Sequence, residues 1–335
     1  MSPPLAPRRV SVLGLGLIGG SLVRRLAAAG VTVTAYDSDP GTRGVARTTA
    51  AVGGRSGKWS VASSVADAVA GAEAVVLAVP LPALGSALDA VAATGFEGVL
   101  TDVTSVKAPV AGLAAQRCPG ARWVGGHPMA GTERSGFAAS DPALFDGCAW
   151  VLALDADTPL ADWLSLAALY TGIGARVVPA RAAEHDAAAA RVSHLPHLVA
   201  AALAEGAAEG ATGALATALA AGSFRDGTRV AATRPALTAA MCGANADALR
   251  TELDALVARL QAFRGVLDAP DPAAALAPAL AVAHGVRTGW PPVPGNPEQI
   301  PAEVGPLLDL GRAGGWVVAV ADDGRTVTAV RPKVS

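Results

Sequence analysis

Apolar and polar positions follow two different rhythms along this chain, and the change from one to the other divides it. Up to about residue 180, short β-branched or apolar runs alternate with longer helical stretches. Arg9–Leu13 is the first such run and feeds straight into Gly14-Leu15-Gly16-Leu17-Ile18-Gly19. A helical segment from Ser21 to Ala29 is ended by Gly30, and Val31–Tyr36 then alternates as a second strand that finishes at Asp37. Ala74–Val79 is wholly apolar and runs into Pro80-Leu81-Pro82, and Val99–Asp102 is a further strand. Trp150–Leu154 and Ala175–Val178 read as the last two, on either side of a helix from about Leu160 to Tyr170. This alternation predicts an α/β domain over residues 1–180, built on one open, doubly wound sheet.

From about Ala182 to Gly265 the apolar spacing is helical, with glycine and Ser/Thr breaks that predict four or five helices in an all-α domain over 181–285. Pro196 falls inside the first of them, where it removes a backbone hydrogen bond and predicts a kink beside His194 and His197. An Ala-rich helical domain of this kind exposes a wide small-residue face, which favours pairing with a second copy in a twofold dimer. Residues 286–335 read as an accessory tail. It has a proline-rich linker, a short helix from about Glu303 to Leu310, and two alternating runs, Trp316–Val320 and Thr326–Val330. With Asp323-Gly324 between them, the two runs predict a β-hairpin.

Composition changes this picture only at its edges. A mean hydropathy of +0.41 raises the question of a membrane. The longest stretches without Asp, Glu, Lys or Arg, such as Ala74–Leu88 and Pro272–Val286, run only about 15 residues, short of the roughly 20 needed to span a bilayer. The sequence therefore predicts a soluble, cytoplasmic protein. A net charge of −2 with no basic cluster argues against nucleic acid as a partner. Cys118, Cys148 and Cys242 are scattered without metal-ligand spacing and read as buried thiols. His185, His194 and His197 likewise lack the acid-plus-histidine spacing of a zinc site, so no metal is expected. Lysine occurs only at 58, 107 and 333, against arginine everywhere else, which makes Lys107 stand out.

Two motifs carry candidate chemistry. Gly14, Gly16 and Gly19, with Leu17 and Ile18 between them, sit between a strand and a helix. Asp37 follows 18 residues beyond the last glycine. That context is the dinucleotide fingerprint: the glycines admit a pyrophosphate to the backbone, and the helix N-terminus offers free N–H groups. A carboxylate at Asp37 suits a ribose 2′-hydroxyl and repels a 2′-phosphate, which favours NAD over NADP, although Arg43 lies close by. Val79 and Pro80, at the carboxyl end of a strand, are expected to pass over the cofactor. The second motif is Gly125 to Gly136, in which His127 is held among glycines and a proline, with Thr132, Glu133, Arg134 and Ser135 following. Such chemistry predicts a fixed loop, and a held histidine suits proton transfer.

Asp102-Val103-Thr104-Ser105-Val106-Lys107, followed by Gly126-His127-Pro128-Met129-Ala130-Gly131-Thr132-Glu133-Arg134-Ser135-Gly136, resembles the prephenate dehydrogenase (TyrA) family of tyrosine biosynthesis. Val192-Ser193-His194-Leu195-Pro196-His197 and Gly222-Ser223-Phe224-Arg225-Asp226-Gly227-Thr228-Arg229 are similar to motifs of that family's helical domain. The resemblance runs from residue 9 to about 265. It implies a Rossmann-type domain, a helical dimerisation domain, and oxidative decarboxylation of prephenate with hydride passing from ring C4 to NAD⁺. It further implies that His127 takes, or hydrogen-bonds, the proton of the C4 hydroxyl, that Ser105 shares this contact and orients the imidazole, and that Asp102 and Lys107 brace the loop. Arg229 would bind a substrate carboxylate, with Arg225 the fallback unless it pairs with Asp226. His197 and Thr132 would contact substrate, and Glu133 would stand at the mouth. The chain departs from the pattern at Thr238, where relatives often carry tryptophan. Arogenate or 4-amino-4-deoxyprephenate remain alternative substrates, and an NAD-binding regulator without catalysis is a more distant reading.

Overall fold

The computed structural model describes residues 5–52, 59–131 and 134–333. Six short strands form a first, wholly parallel sheet: β1 (Arg9–Leu13), β2 (Thr32–Tyr36), β3 (Trp59–Val61), β4 (Ala74–Leu77), β5 (Val99–Asp102) and β6 (Arg122–Val124). Their order is β3-β2-β1-β4-β5-β6, so the chain reverses direction across the sheet between β1 and β4. Ligands of open α/β sheets bind at the carboxyl ends of the strands, at such a switch point. Registry places Leu13 level with both Tyr36 and Leu77, which brings Gly14, Asp37 and Ala78 to one edge. The central strands are largely apolar because helices cover both faces, with Val12 and Val76 buried on one side and Leu13, Val75 and Leu77 on the other. The first helix, Leu17–Ala28, starts inside the glycine run rather than at Ser21, with Gly16 as its N-cap.

The sequence predicts that the next strands extend that sheet, and they do not. β7 (Gly126–Pro128), β8 (Ala149–Ala153) and β9 (Arg176–Ala180) start a second sheet, in which β8 and β9 are parallel around the helix Leu160–Gly172 and β7 runs antiparallel to β8. His127, opposite Val151, is therefore on a short edge strand and not in a loop. Gly126 makes this possible: a Cβ there would lie 2.6 Å from the Asp102 carbonyl oxygen, so only glycine lets β7 pass this close to the end of β5.

The tail completes the second sheet. β10 (Glu298–Pro301), β11 (Trp316–Val320) and β12 (Thr326–Val330) give the order β10-β12-β11-β9-β8-β7. β11 and β12 form the expected hairpin, and Val317 pairs with Val177 of β9. Leu307 and Leu310 of the helix Val304–Arg312 share one buried cluster with Val317, Val327, Trp150 and Tyr170.

The helical part begins with Ala182–Ala189, widens into a π-helical turn over Ala190–His194, and continues as Leu195–Ala208. The widened turn accommodates the N–H that Pro196 lacks, which is the form the expected kink takes. Helices Gly213–Ala218, Gly222–Thr228, Pro235–Ala244, Ala246–Leu267 and Pro272–Thr288 follow, more than the four or five expected because Gly210, Gly222 and Pro235 each introduce a break. Leu253, Val257, Leu260 and Leu267 of one long helix and Leu280, Val282 and Val286 of the next are exposed. Contiguous apolar surface of this kind marks an interaction face.

Candidate active site

A cleft of about 790 Å³ opens at the β1–β4 switch point. It is lined by Gly14, Gly16, Leu17, Ile18, Asp37, Val79 and Pro80 from the parallel sheet, and by His197, Thr233, Arg234, Leu237, Thr238 and Met241 from the helices opposite. The three fingerprint glycines do different work. Gly14 has φ +103°, and a Cβ there would collide with the Ala78 carbonyl. A Cβ at Gly19 would collide with the Gly14 carbonyl, whereas one at Gly16 would meet nothing within 4 Å. Gly16 thus leaves an open cradle at a helix N-terminus, which fits a pyrophosphate. Asp37 accepts the Leu15 N–H at 2.7 Å and the Asp39 N–H at 2.9 Å, leaving further lone pairs toward the cleft. Arg43 turns its Nη1 onto the Asp37 and Ser38 carbonyls and lies over the Tyr36 ring, so it is engaged in holding the backbone.

Beyond β5 a buried polar group ties the site together. Asp102 and Lys107 are paired, both with side chains fully out of solvent. Asp102 Oδ1 accepts the Gly126 N–H at 2.9 Å, while Lys107 Nζ donates to the Gly126 carbonyl at 2.6 Å. Thr104 donates to the same carboxylate through its backbone and its hydroxyl. The residue preceding His127 is therefore clamped from both sides. Burial pulls the Lys107 ammonium below its ordinary pKa, and the Asp102 and Asp186 carboxylates oppose that shift.

His127 is buried, and its Nδ1 lies 2.8 Å from Nε2 of His185, whose own Nδ1 lies 2.8 Å from Asp186 Oδ1. Burial first, then His185, Lys107 and His194, hold the His127 pKa well below the usual histidine value, so its imidazole is neutral at pH 7. The ring is oriented by His185 and not by Ser105, which instead lines the cleft with its carbonyl beside the His194 ring. His194 Nδ1 faces the Asn245 side-chain nitrogen at 3.1 Å, and burial also lowers its pKa.

His197 reaches the cleft as expected, with the Val230 carbonyl at its ring and the Arg229 charge close enough, after burial, to lower its pKa. Arg229 stands beside His197 and does not itself line the cleft. Arg225 pairs with Asp226 at 3.1 Å, both highly exposed, so the fallback partner is committed to a surface ion pair. Thr132 and Glu133 lie outside the described residues. His185 and Asp186 were not singled out from the sequence as partners of His127; the adjacent His-Asp pair at the start of the helical half is the only local signal. Arg234 was missed as well, since an arginine before Pro235 reads as a helix start. Among the described residues no cluster of His, Cys, Asp or Glu has metal-holding geometry, and no helix is long and apolar enough to cross a membrane.

A glycine cradle at the switch point of a parallel sheet, with a buried neutral imidazole on the strand that passes the end of β5, defines a dinucleotide-dependent dehydrogenase. Comparison with known proteins narrows the class. The nucleotide-binding domain of prephenate dehydrogenase matches residues 22–179 and its dimerization domain matches residues 181–276. The chain belongs to the prephenate dehydrogenase family. It is 35% identical over 270 residues to the cyclohexadienyl dehydrogenase of Zymomonas mobilis, covering 79% of this chain and 90% of that one. A solved structure from Corynebacterium glutamicum, named provisionally as a prephenate dehydrogenase, is 39% identical, with a TM-score of 0.75, covering 85% of this chain and 90% of that one. Synechocystis arogenate dehydrogenase is 28% identical, with a TM-score of 0.66, covering 84% and 98%. The exposed apolar face on the long helices lies in or beside the family's dimerization domain.

Proposed function

We propose that this protein carries out NAD-dependent oxidative decarboxylation of prephenate to 4-hydroxyphenylpyruvate, in the cytoplasm and as a homodimer, in tyrosine biosynthesis. The observation that carries the reading is His127: a neutral imidazole, clamped through Gly126 by Asp102 and Lys107, with Thr104, which bonds the same Asp102, on the wall of the dinucleotide cleft. NAD⁺ bound in that cleft would accept the hydride from ring C4. The cleft fits it through open Gly16, the helix N-terminus and the free lone pairs of Asp37.

The chain's own residues would then hold the substrate and manage one proton. His127 holds the C4 hydroxyl proton while the hydroxyl carbon becomes carbonyl-like, and returns it as the ring turns aromatic. Ser105, on the cleft wall, adds a second hydrogen bond to that oxygen. Asp102 and Lys107 keep β7 in place, and Arg229 with His197 receives a carboxylate. The keto side chain of prephenate and the amino side chain of arogenate differ in charge as well as in hydrogen bonding. The cationic character around His197, from Arg229 and Arg234, suits the keto acid with its second negative charge.

Purified protein should be assayed with prephenate and with arogenate, each with NAD⁺ and with NADP⁺. Prephenate with NAD⁺ should give the highest kcat/KM. Turnover restricted to arogenate or to the 4-amino-4-deoxy analogue would move the reading within the family. NAD⁺ binding without turnover of any of them would leave a regulator.

A further inference from the structure

We propose that His185 and Asp186 are positioning residues which set the tautomer of His127, so that the imidazole presents a bare Nε2 to the substrate. The proposal rests on the reading above for the identity of that substrate, but the tautomer itself does not depend on it.

The argument starts at Asp186. Its Oδ1 accepts the Lys107 N–H at 2.7 Å and its Oδ2 accepts the Ala108 N–H at 2.8 Å, at the start of the helix Ala108–Arg117. A helix N-terminus favours an anion there. Burial works against the carboxylate, but the His185 bond and the two backbone bonds outweigh it and hold the Asp186 pKa below its ordinary value. An ionised carboxylate can only accept, so His185 Nδ1 must donate to it across 2.8 Å. When the His185 imidazole is neutral it has one donor and one acceptor, so its Nε2 accepts. The 2.8 Å bond to His127 then requires His127 Nδ1 to be the donor, and His127 Nε2 is left with its lone pair. With both imidazoles neutral, three side chains from two parts of the fold, all buried, thus leave a single order of protons.

That order has a consequence for the reaction. As the substrate O–H bond lengthens, the new N–H bond forms at His127 Nε2 and positive charge builds on the ring. The bond through His185 to the Asp186 carboxylate stabilises it. When the C4 hydride departs to the nicotinamide and the carboxylate leaves as carbon dioxide, its bonding pair entering the ring, the proton goes back to the now phenolic oxygen. No proton is gained or lost overall. The charged groups facing His127 are Lys107 and Asp102 from the end of β5, His185 and Asp186 from the helix Ala182–Ala189, and His194 from the π turn. Of these, only His185 meets His127 in a direct hydrogen bond: a charged His185 opposes a positive His127, whereas a neutral one backed by the Asp186 carboxylate favours it.

Two measurements test this. Nitrogen NMR of histidine-labelled protein with NAD⁺ bound and no substrate reads the tautomer directly. The His127 ring should be protonated at Nδ1, and in Asp186→Asn it should switch to Nε2, because the amide can donate to His185 and reverse the chain. Asp186→Asn should also lower kcat by roughly 10- to 10³-fold, the lower part of the span for general acid–base groups, with NAD⁺ affinity unchanged. His185→Gln, whose carbonyl can still accept from His127, should keep at least tenfold more kcat than His185→Leu. Wild-type His127 protonated at Nε2, or a His185→Leu enzyme with unaltered kcat and pH profile, overturns the proposal. Should Asp186→Asn fail to fold, the two His185 variants decide. A wild type inactive on prephenate would refute the assigned substrate while the NMR result still stands.

Discussion

Lys107 places its ammonium between the Asp102 carboxylate and the Gly126 carbonyl, 2.6 Å from the latter, with neither charged side chain reaching solvent. A buried pair is costly to assemble and costlier to break, because the survivor is left as an uncompensated charge. Lys107→Met should therefore destabilise the protein by about 3–5 kcal/mol, read as a lower denaturation midpoint. Lys107→Met with Asp102→Asn should recover part of the loss. A single variant as stable as wild type would show that the clamp contributes nothing.

The buried histidines make stability depend on pH. His127 is held well below its ordinary pKa of 6.5, and His194 and His197 are lowered as well, in each case by burial first. Below pH 6.5 the unfolded chain binds protons that the folded chain refuses, so stability is complete above that pH and falls as pH drops toward the folded pKa values. Asp186, lowered from 3.8, adds a further loss below that value. The Tm should decline from about pH 6.5 downward, and His127→Asn should flatten part of that decline. A Tm independent of pH between 6.5 and 5 would contradict the burial of neutral imidazoles.

How much of this was legible beforehand depended on whether the cause was local. Gly14, Gly16, Gly19 and Asp37 announce their site because the strand, turn and helix that use them are contiguous, and the hairpin at Asp323-Gly324 is equally local. The placement of β8 and β9 was not legible, because an apolar strand carries no mark of which sheet it joins. Their sheet is decided by Gly126, which lets β7 turn away from β6, and by a tail more than a hundred residues downstream of β9. The His127–His185 bond spans 58 residues and two domains, so spacing could not show it.

The fingerprint glycines should separate binding from folding. Gly16→Ala meets open space and should leave Tm unchanged while weakening NAD⁺, since its methyl projects into the cradle. Gly19→Ala runs into the Gly14 carbonyl and should lower Tm as well. Titration of cofactor fluorescence beside a thermal melt distinguishes them. Equal NAD⁺ affinity in Gly16→Ala and wild type would place the pyrophosphate elsewhere.

The tail should behave as core. Leu310 is fully buried and belongs to the cluster that includes Trp150 and Val317. Leu310→Ala should cost about 2–5 kcal/mol, the range for emptying a buried leucine site, and deletion after Val293 should abolish cooperative unfolding. An unaltered urea midpoint in Leu310→Ala would mean the tail is dispensable.

Kinetics distinguish the two candidate arginines for the substrate carboxylate. Arg229 acts on the His197 ring but is not part of the cleft lining, whereas Arg234 lines the cleft and starts the helix Pro235–Ala244, its carbonyl accepting the Leu237 N–H. A charge-assisted hydrogen bond to a carboxylate is worth about 1.5–3 kcal/mol, so removing the partner should raise KM roughly 10- to 150-fold. Both arginines are exposed; we expect that effect from Arg229→Ala, because its charge acts on the His197 ring that lines the cleft, and a smaller, salt-dependent change in KM from Arg234→Ala. Where the contact is equal in ground and transition states, kcat stays near its wild-type value. Arg229→Lys should rescue only in part, since an ammonium cannot reproduce the planar two-bond fork. NAD⁺ affinity should not move in any of these variants, which separates substrate binding from a folding defect. If Arg234→Ala raises KM by more than tenfold and Arg229→Ala does not, the carboxylate partner is Arg234 and the helix start before Pro235 is part of the substrate site.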